Sequence, residues 1–191
     1  MTESSIPLMA DKNTPRSDEN LIIQTARQDP KAFGELYLLY VEQVFRYLCS
    51  RLGNVQEAED VTAQTFLAAF ESFDRFRQDG HFAPWLFTIA RNKAMDHFRQ
   101  VKKQESIKPE DIDSVEDDPL SSVIQSEQAL RLAKLIRNLS EEERELLRLR
   151  FLAELTYQEI ANFLHRNEEA VKKSIYRLLA RLQSQLEVSN E

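Results

Sequence analysis

The chain has only three glycines, Gly34, Gly53 and Gly80, in 191 residues. Glycine supplies the positive φ angles that tight hairpins, bulges and phosphate-cradling loops require. So few of them exclude turn-rich β folds, glycine-rich nucleotide loops and a dinucleotide-binding fingerprint. What remains is a helical chain, and its punctuation is helical. Asp29-Pro30 places an N-cap before a proline at the first helical position, and Asp118-Pro119 repeats the device. Asn54 with Glu57, Ser140 with Glu143 and Thr156 with Glu159 have the three-residue spacing of capping boxes.

Apolar spacing fills in the helices. Phe33, Leu36, Tyr37, Tyr40, Val44, Tyr47 and Leu48 line one face, and Gly53 ends that helix. Val61, Thr65, Ala68, Ala69 and Phe73 line the next, and Pro84 opens a third with Leu86, Ile89, Ala90 and Ala94 inward. A further set of helices carries Leu130, Ile136 and Leu139, then Ile160 and Leu164, then Val171, Ile175, Leu178 and Leu182. The expected fold is all-α: two small helical domains joined by a flexible acidic linker, the second with a helix-turn-helix. The boundaries read as a disordered tail at 1–28, a first domain at 29–104, a linker at 105–118 and a second domain at 119–186.

Net charge is −7, but it is segregated. Residues 29–74 carry −5, residues 75–104 carry +5, and seven of the 14 residues from Glu105 to Asp118 are acids. A compact basic segment in an acidic chain suits two partners, one of them a phosphate backbone. One cysteine, Cys49, rules out an intramolecular disulfide and a cysteine-based zinc cluster. His81, His97 and His165 are scattered, so neither a metal nor another cofactor is expected. No apolar run approaches ~20 residues and the N-terminus lacks a signal-peptide pattern, so membrane insertion is not expected and a cytoplasmic setting is. No nucleophile–base pair or phosphate loop points to an enzyme.

Three surfaces carry chemistry. From Arg75 to Lys103, Arg75, Arg77, Arg91, Lys93 and Arg99 alternate with Phe76, Phe82, Trp85, Phe87 and Phe98. Cations that track a backbone and rings that stack on bases suit unpaired nucleic acid. Trp85 and Phe87 equally suit a core. The last helix projects Glu169, Lys172, Lys173, Tyr176 and Arg177 outward, as a major-groove reader would. Periodicity alone leaves a plain helical hairpin equally open. On the helix that carries Glu57, Glu59 and Asp60, Gln64, Phe66, Leu67 and Phe70 offer polar and apolar contacts together as a protein-docking face does, while the early acids also suit a helix N-terminus.

The runs AEDVTAQTFLAAF (Ala58 to Phe70), WLFTIARNKAMDHFR (Trp85 to Arg99) and LSEEERELLRLRFLAELTYQEIANFL (Leu139 to Leu164) resemble bacterial sigma factors. Two domains with none between them resemble the extracytoplasmic-function group. The resemblance covers about Asp29 to Leu186 and implies a factor that binds core RNA polymerase and directs promoter-specific initiation. It implies that Glu59, Asp60, Gln64, Phe66 and Leu67 dock on the coiled coil of the largest subunit. It implies that Arg75, Arg77, Trp85, Arg91, Asn92, Asp96 and Arg99 read and melt the minus-ten element. Arg166, Glu169, Lys172, Lys173, Tyr176 and Arg177 would read the minus-35 duplex, with the second domain on the polymerase flap. Control by an anti-sigma factor is also implied. The turn His165-Arg166-Asn167 lacks the glycine of many relatives. The competing reading is a stand-alone helix-turn-helix DNA-binding transcription regulator, which leaves the first domain's motifs without a role.

Overall fold

A computed structural model describes residues 17–77, 81–105 and 127–188. Among these there are eight α-helices and no strand. The first domain comprises α1 (Ser17–Gln28), α2 (Phe33–Leu52), α3 (Val55–Ser72) and α4 (Phe82–Glu105). The second comprises α5 (Glu127–Arg137), α6 (Glu141–Leu147), α7 (Tyr157–Leu164) and α8 (Glu168–Val188). Most of the expected linker and the start at Asp118-Pro119 lie outside the described residues.

The tail expected at 1–28 is helical over Ser17–Gln28, which corrects that boundary. In α1, Ile23 and Ala26 are buried in the first domain's core, and Arg27 donates to the Phe76 carbonyl at 2.5 Å. The stripe is short and set among polar residues, so it leaves little periodicity to read.

Local chemistry explains the other ends. Asp29 Oδ1 accepts from the Lys31 amide at 3.0 Å and starts a 3-10 turn, Pro30–Ala32, that leads into α2. Gly53 closes α2 at φ 75°, a left-handed cap that only glycine adopts without strain. Asn54 Oδ1 accepts from the Glu57 amide at 3.1 Å. Glu57 itself turns to His97 on α4, 2.9 Å away, rather than being seen to complete a capping box. Ser140 with Glu143 and Thr156 with Glu159 do form complete boxes. The helix that the Ser140 box opens is α only to Leu147 and then widens into a π-helical turn, Arg148–Leu152.

The first core is built from Leu36, Tyr40, Val44 and Leu48 of α2, Ala58, Val61 and Ala69 of α3, and Leu86, Phe87 and Ala90 of α4. Phe73, Phe76, Phe82 and Trp85 form an aromatic cluster at the start of α4, with ring centroids 5.0–6.5 Å apart. The same apolar core continues into the second domain through Leu146, Leu149, Leu155, Ile160, Phe163, Val171 and Ile175, while Leu139, Leu178 and Leu182 form a smaller cluster of their own. The two domains are in contact, α2 and α4 meeting α7 and the π-helical turn.

Candidate nucleic-acid interface

α4 starts before Pro84, at Phe82, because the aromatic cluster anchors its first turn. Beyond it, Leu86, Ala90 and Ala94 face inward, leaving Thr88, Asn92, Asp96 and Arg99 exposed along the helix. Arg99 Nη1 is 3.0 Å from Asp96 Oδ1, an exposed pair that positions the guanidinium and stabilises little. Arg75 and Arg77 are exposed just upstream, and residues 78–80 of that loop lie outside the described ones. Trp85 is half-buried, its ring 5.0 Å from Phe76 and 5.5 Å from Phe82. Its wall is therefore core, while part of it remains open.

The second reader is α8. His165 caps α7 in the left-handed region at φ 53°, so a non-glycine residue makes the turn. Asn167 Oδ1 accepts from the amides of Glu169 and Ala170, aligning the start of α8. Arg166, Glu169, Lys173 and Arg177 are exposed on one side and Lys172 is half-buried. Arg166 Nη2 donates to Ser174 Oγ at 3.3 Å. Tyr176 is half-buried against Tyr157, ring centroids 6.3 Å apart, so part of it serves packing. Burial pushes the Tyr157 phenol above its ordinary range.

On α3, Glu59, Asp60, Gln64 and Leu67 are exposed and Leu67 keeps 59% of its surface open. Phe66 is only 5% exposed and stacks edge-on against Tyr37 at 4.8 Å, so it supports this face from beneath. Beside them stand Tyr37 of α2, against Phe66, and Phe70, both exposed. Sequence reading missed the exposed side of Tyr37, which it counted among the inward residues of α2. The signal was present: Leu36 to Tyr40 is too continuously apolar for one buried stripe, and only Leu36 and Tyr40 of it are fully buried.

It also missed the seam between the domains. Glu145 of α6 is 6% exposed. The hydroxyl of Tyr47 donates to its Oε1 at 2.7 Å and Arg51 Nη1 to its Oε2 at 2.6 Å. Arg148 reaches Glu141 at 2.7 Å, Glu145 at 3.4 Å and Ser50 Oγ at 3.4 Å. Arg46 and Glu154 pair at 2.7 Å on the rim. Burial, with the Glu145 charge beside it, drives the Tyr47 phenol far above its ordinary range. Burial raises the Glu141 carboxyl, but Arg148, Arg144 and Arg51 outweigh this and hold it below the usual value. Between the domains lies a cleft of about 550 Å³, walled by Arg51, Arg91, Asn92, Glu141, Glu145 and Arg166. The Arg91 guanidinium sits 5.7 Å over the Phe163 ring of α7. Among the described residues no cluster of ligands suits a metal, and no helix is long and apolar enough to cross a membrane.

Comparison with known proteins agrees with this division. Residues 36–104 match the family model for sigma-70 region 2, and residues 129–182 that for sigma-70 region 4. The chain is 35% identical to the ECF RNA polymerase sigma factor BldN of Streptomyces coelicolor over 91% of its own length and 67% of that protein's. It is 31% identical to the ECF sigma factor SigM of Bacillus subtilis, over 78% of its own length and 92% of that protein's. The structure of RpoE in complex with the anti-sigma factor NepR, from Bartonella quintana, superposes with a TM-score of 0.62 at 25% identity, covering 83% of this chain and 98% of that one. CnrH in complex with the cytosolic domain of CnrY gives 0.59 at 26%, covering 88% and 97%.

Proposed function

Because the chain belongs to the extracytoplasmic-function group of RNA polymerase sigma factors, we propose that its two domains divide promoter reading between α4 and α8. As a sigma factor it works with core RNA polymerase and promoter DNA in transcription initiation. In the proposed division, the α3 face with Asp60, Gln64 and Leu67 docks on the polymerase. Arg75, Arg77, Arg91, Asn92 and Arg99 engage the opened minus-ten strand. There, basic groups hold phosphates and Asn92 offers base-edge hydrogen bonds. Arg166, Lys172, Lys173 and Arg177 engage the minus-35 major groove. The chain itself performs no bond-making step, acts in the cytoplasm, and is held in check by an anti-sigma protein, as the solved relatives in complex with such partners support.

The observation that carries this reading is the pair of family matches falling on the two domains that bear the two basic helices. Two elements about 25 base pairs apart are separated by about 85 Å at about 3.4 Å per pair. Here α4 and α7 share one cleft, so the promoter-bound arrangement must be a more open one. Residues 106–126 connect the domains and can span up to about 70 Å when extended.

Run-off transcription with bacterial core enzyme on a pool of promoter fragments tests the proposal. Initiation at defined sites only when the chain is added supports it. Duplex binding by the chain alone, without co-elution on core enzyme, would favour the stand-alone regulator.

A further inference from the structure

Phe76 stands between Arg75 and Arg77, two exposed cations in the proposed grip on the minus-ten strand. Its ring is buried, 5.6 Å from Phe82 and 5.0 Å from Trp85. Its amide donates to the Phe73 carbonyl at 3.0 Å, closing the 3-10 turn Phe73–Arg75. Ring and amide together fix the position of Phe76 and its φ. Neither fixes ψ, which is 121° and sets the direction in which the chain leaves toward Arg77. The extended region admits ψ from about 100° to about 180°, so an unheld Phe76 carbonyl is free to swing.

That carbonyl is held by Arg27, 49 positions earlier in the chain. Arg27 lies in the last turn of α1, where a cation already suits the negative end of the helix. Its Nη2 nonetheless reaches across to the Phe76 oxygen, 2.5 Å away. A charged donor makes this bond stronger than a neutral one would be. Ile23 and Ala26 lock α1 onto the core, so the guanidinium is delivered from a fixed base.

We propose that Arg27 is a positioning residue for minus-ten reading. By holding the Phe76 carbonyl it fixes the backbone from which Arg75 and Arg77 project, beside the open part of Trp85. It touches no base itself and sets the geometry with which its neighbours do. The alternative is a third guanidinium that simply binds phosphate, and the two roles give different results. The inference rests on the reading of Arg75 and Arg77 as minus-ten contacts, although the anchoring itself does not.

The test compares Arg27→Ala and Arg27→Lys with wild type in the full chain. Lysine keeps a charged donor on a stem of similar reach. The first readout is trypsin cleavage after Arg77, followed by mass spectrometry under native conditions without polymerase. Cleavage follows the population whose local backbone is open, and loss of a hydrogen bond to a charged group should make it about fivefold or more faster in Arg27→Ala. Circular dichroism should show helicity unchanged, and Arg27→Lys should restore most of the protection. The second readout is initiation by holoenzyme on promoters that differ only in the minus-ten or only in the minus-35 element. Arg27→Ala should lower the ratio of rates between good and poor minus-ten sequences about fivefold, the low end of one base contact, and leave the minus-35 ratio unchanged. Arg27→Lys should recover the minus-ten ratio. Unchanged cleavage after Arg77, or faster cleavage only as helicity is lost, overturns the anchoring. An equal loss of rate on every promoter makes Arg27 a phosphate contact and overturns the positioning role. Cleavage is read on the free chain, apart from the reading of α4. A wild-type chain indifferent to minus-ten changes refutes that reading, whereas a discriminating wild type matched by Arg27→Ala refutes only the role of Arg27.

Discussion

Replacing Leu67 with alanine tests the docking face most directly. Leu67 is 59% exposed on α3, one turn beyond Gln64 and two beyond Asp60. A fully buried leucine is worth about 1.5–3 kcal/mol relative to an exposed one. The part of Leu67 still open to water in the free chain therefore holds about 1–2 kcal/mol for a partner that covers it, about five- to thirtyfold in affinity. Little of that surface supports the fold, so stability should change by no more than about 0.5 kcal/mol. The assay is competition, with unlabelled variant displacing labelled wild-type chain from core polymerase, run beside a thermal melt. Phe66→Ala is the informative contrast. Phe66 is buried against Tyr37, so its removal should cost about 3–5 kcal/mol of folding stability, and any loss of binding should follow the loss of folded chain. Affinity of Leu67→Ala within twofold of wild type, at an unchanged melting temperature, would refute the docking assignment.

Lys173→Ala with Arg177→Ala should weaken discrimination among minus-35 variants by about 1–3 kcal/mol per base contact, read as the ratio of initiation rates; equal losses on every variant would make them phosphate contacts. His165→Gly should raise the melting temperature of the second domain, since a residue at φ 53° costs about 1–2 kcal/mol that glycine avoids. Glu143, bonded by the Ser140 amide and by Arg181, titrates below its ordinary range. Its contribution is therefore complete above the unfolded carboxyl value of about 4.3 and is lost as pH falls through the lower folded value. The acid-side fall in melting temperature should be shallower in Glu143→Gln.

The helices were legible where their ends carry local chemistry. Asp29, Asn54, Ser140, Thr156 and Asn167 each cap a neighbouring amide as their sequence neighbours require. The basic helix and the exposed positions Glu169, Lys173 and Arg177 of α8 followed from spacing alone, whereas Lys172 and Tyr176 of the same arc are half-buried. What escaped the sequence was long-range. Tyr47 and Glu145 stand 98 positions apart, and Arg46 and Glu154 stand 108 apart, so no window contains both partners. Of the run from Glu141 to Glu145 the sequence singled out only Glu143, as the partner of Ser140 in a capping box, and only the tertiary fold turns Glu145 inward. Phe66 escaped for a subtler reason. It lies on the α3 boundary between buried and exposed faces, and its fate depends on Tyr37 arriving from α2.

The segment that relatives share and the segment that folds do not coincide. The match to the region 2 family begins at residue 36. Ile23 and Ala26 lie before it, as does Phe33, whose ring meets Phe70 and Phe73 at 5.2 and 5.3 Å. A fragment trimmed to the homology boundary would strip one wall from the first domain, leave the Phe76 carbonyl without Arg27, and present phenylalanine edges to water. Such a fragment should be sticky and poorly soluble, whereas one beginning at Ser17 keeps the wall in place.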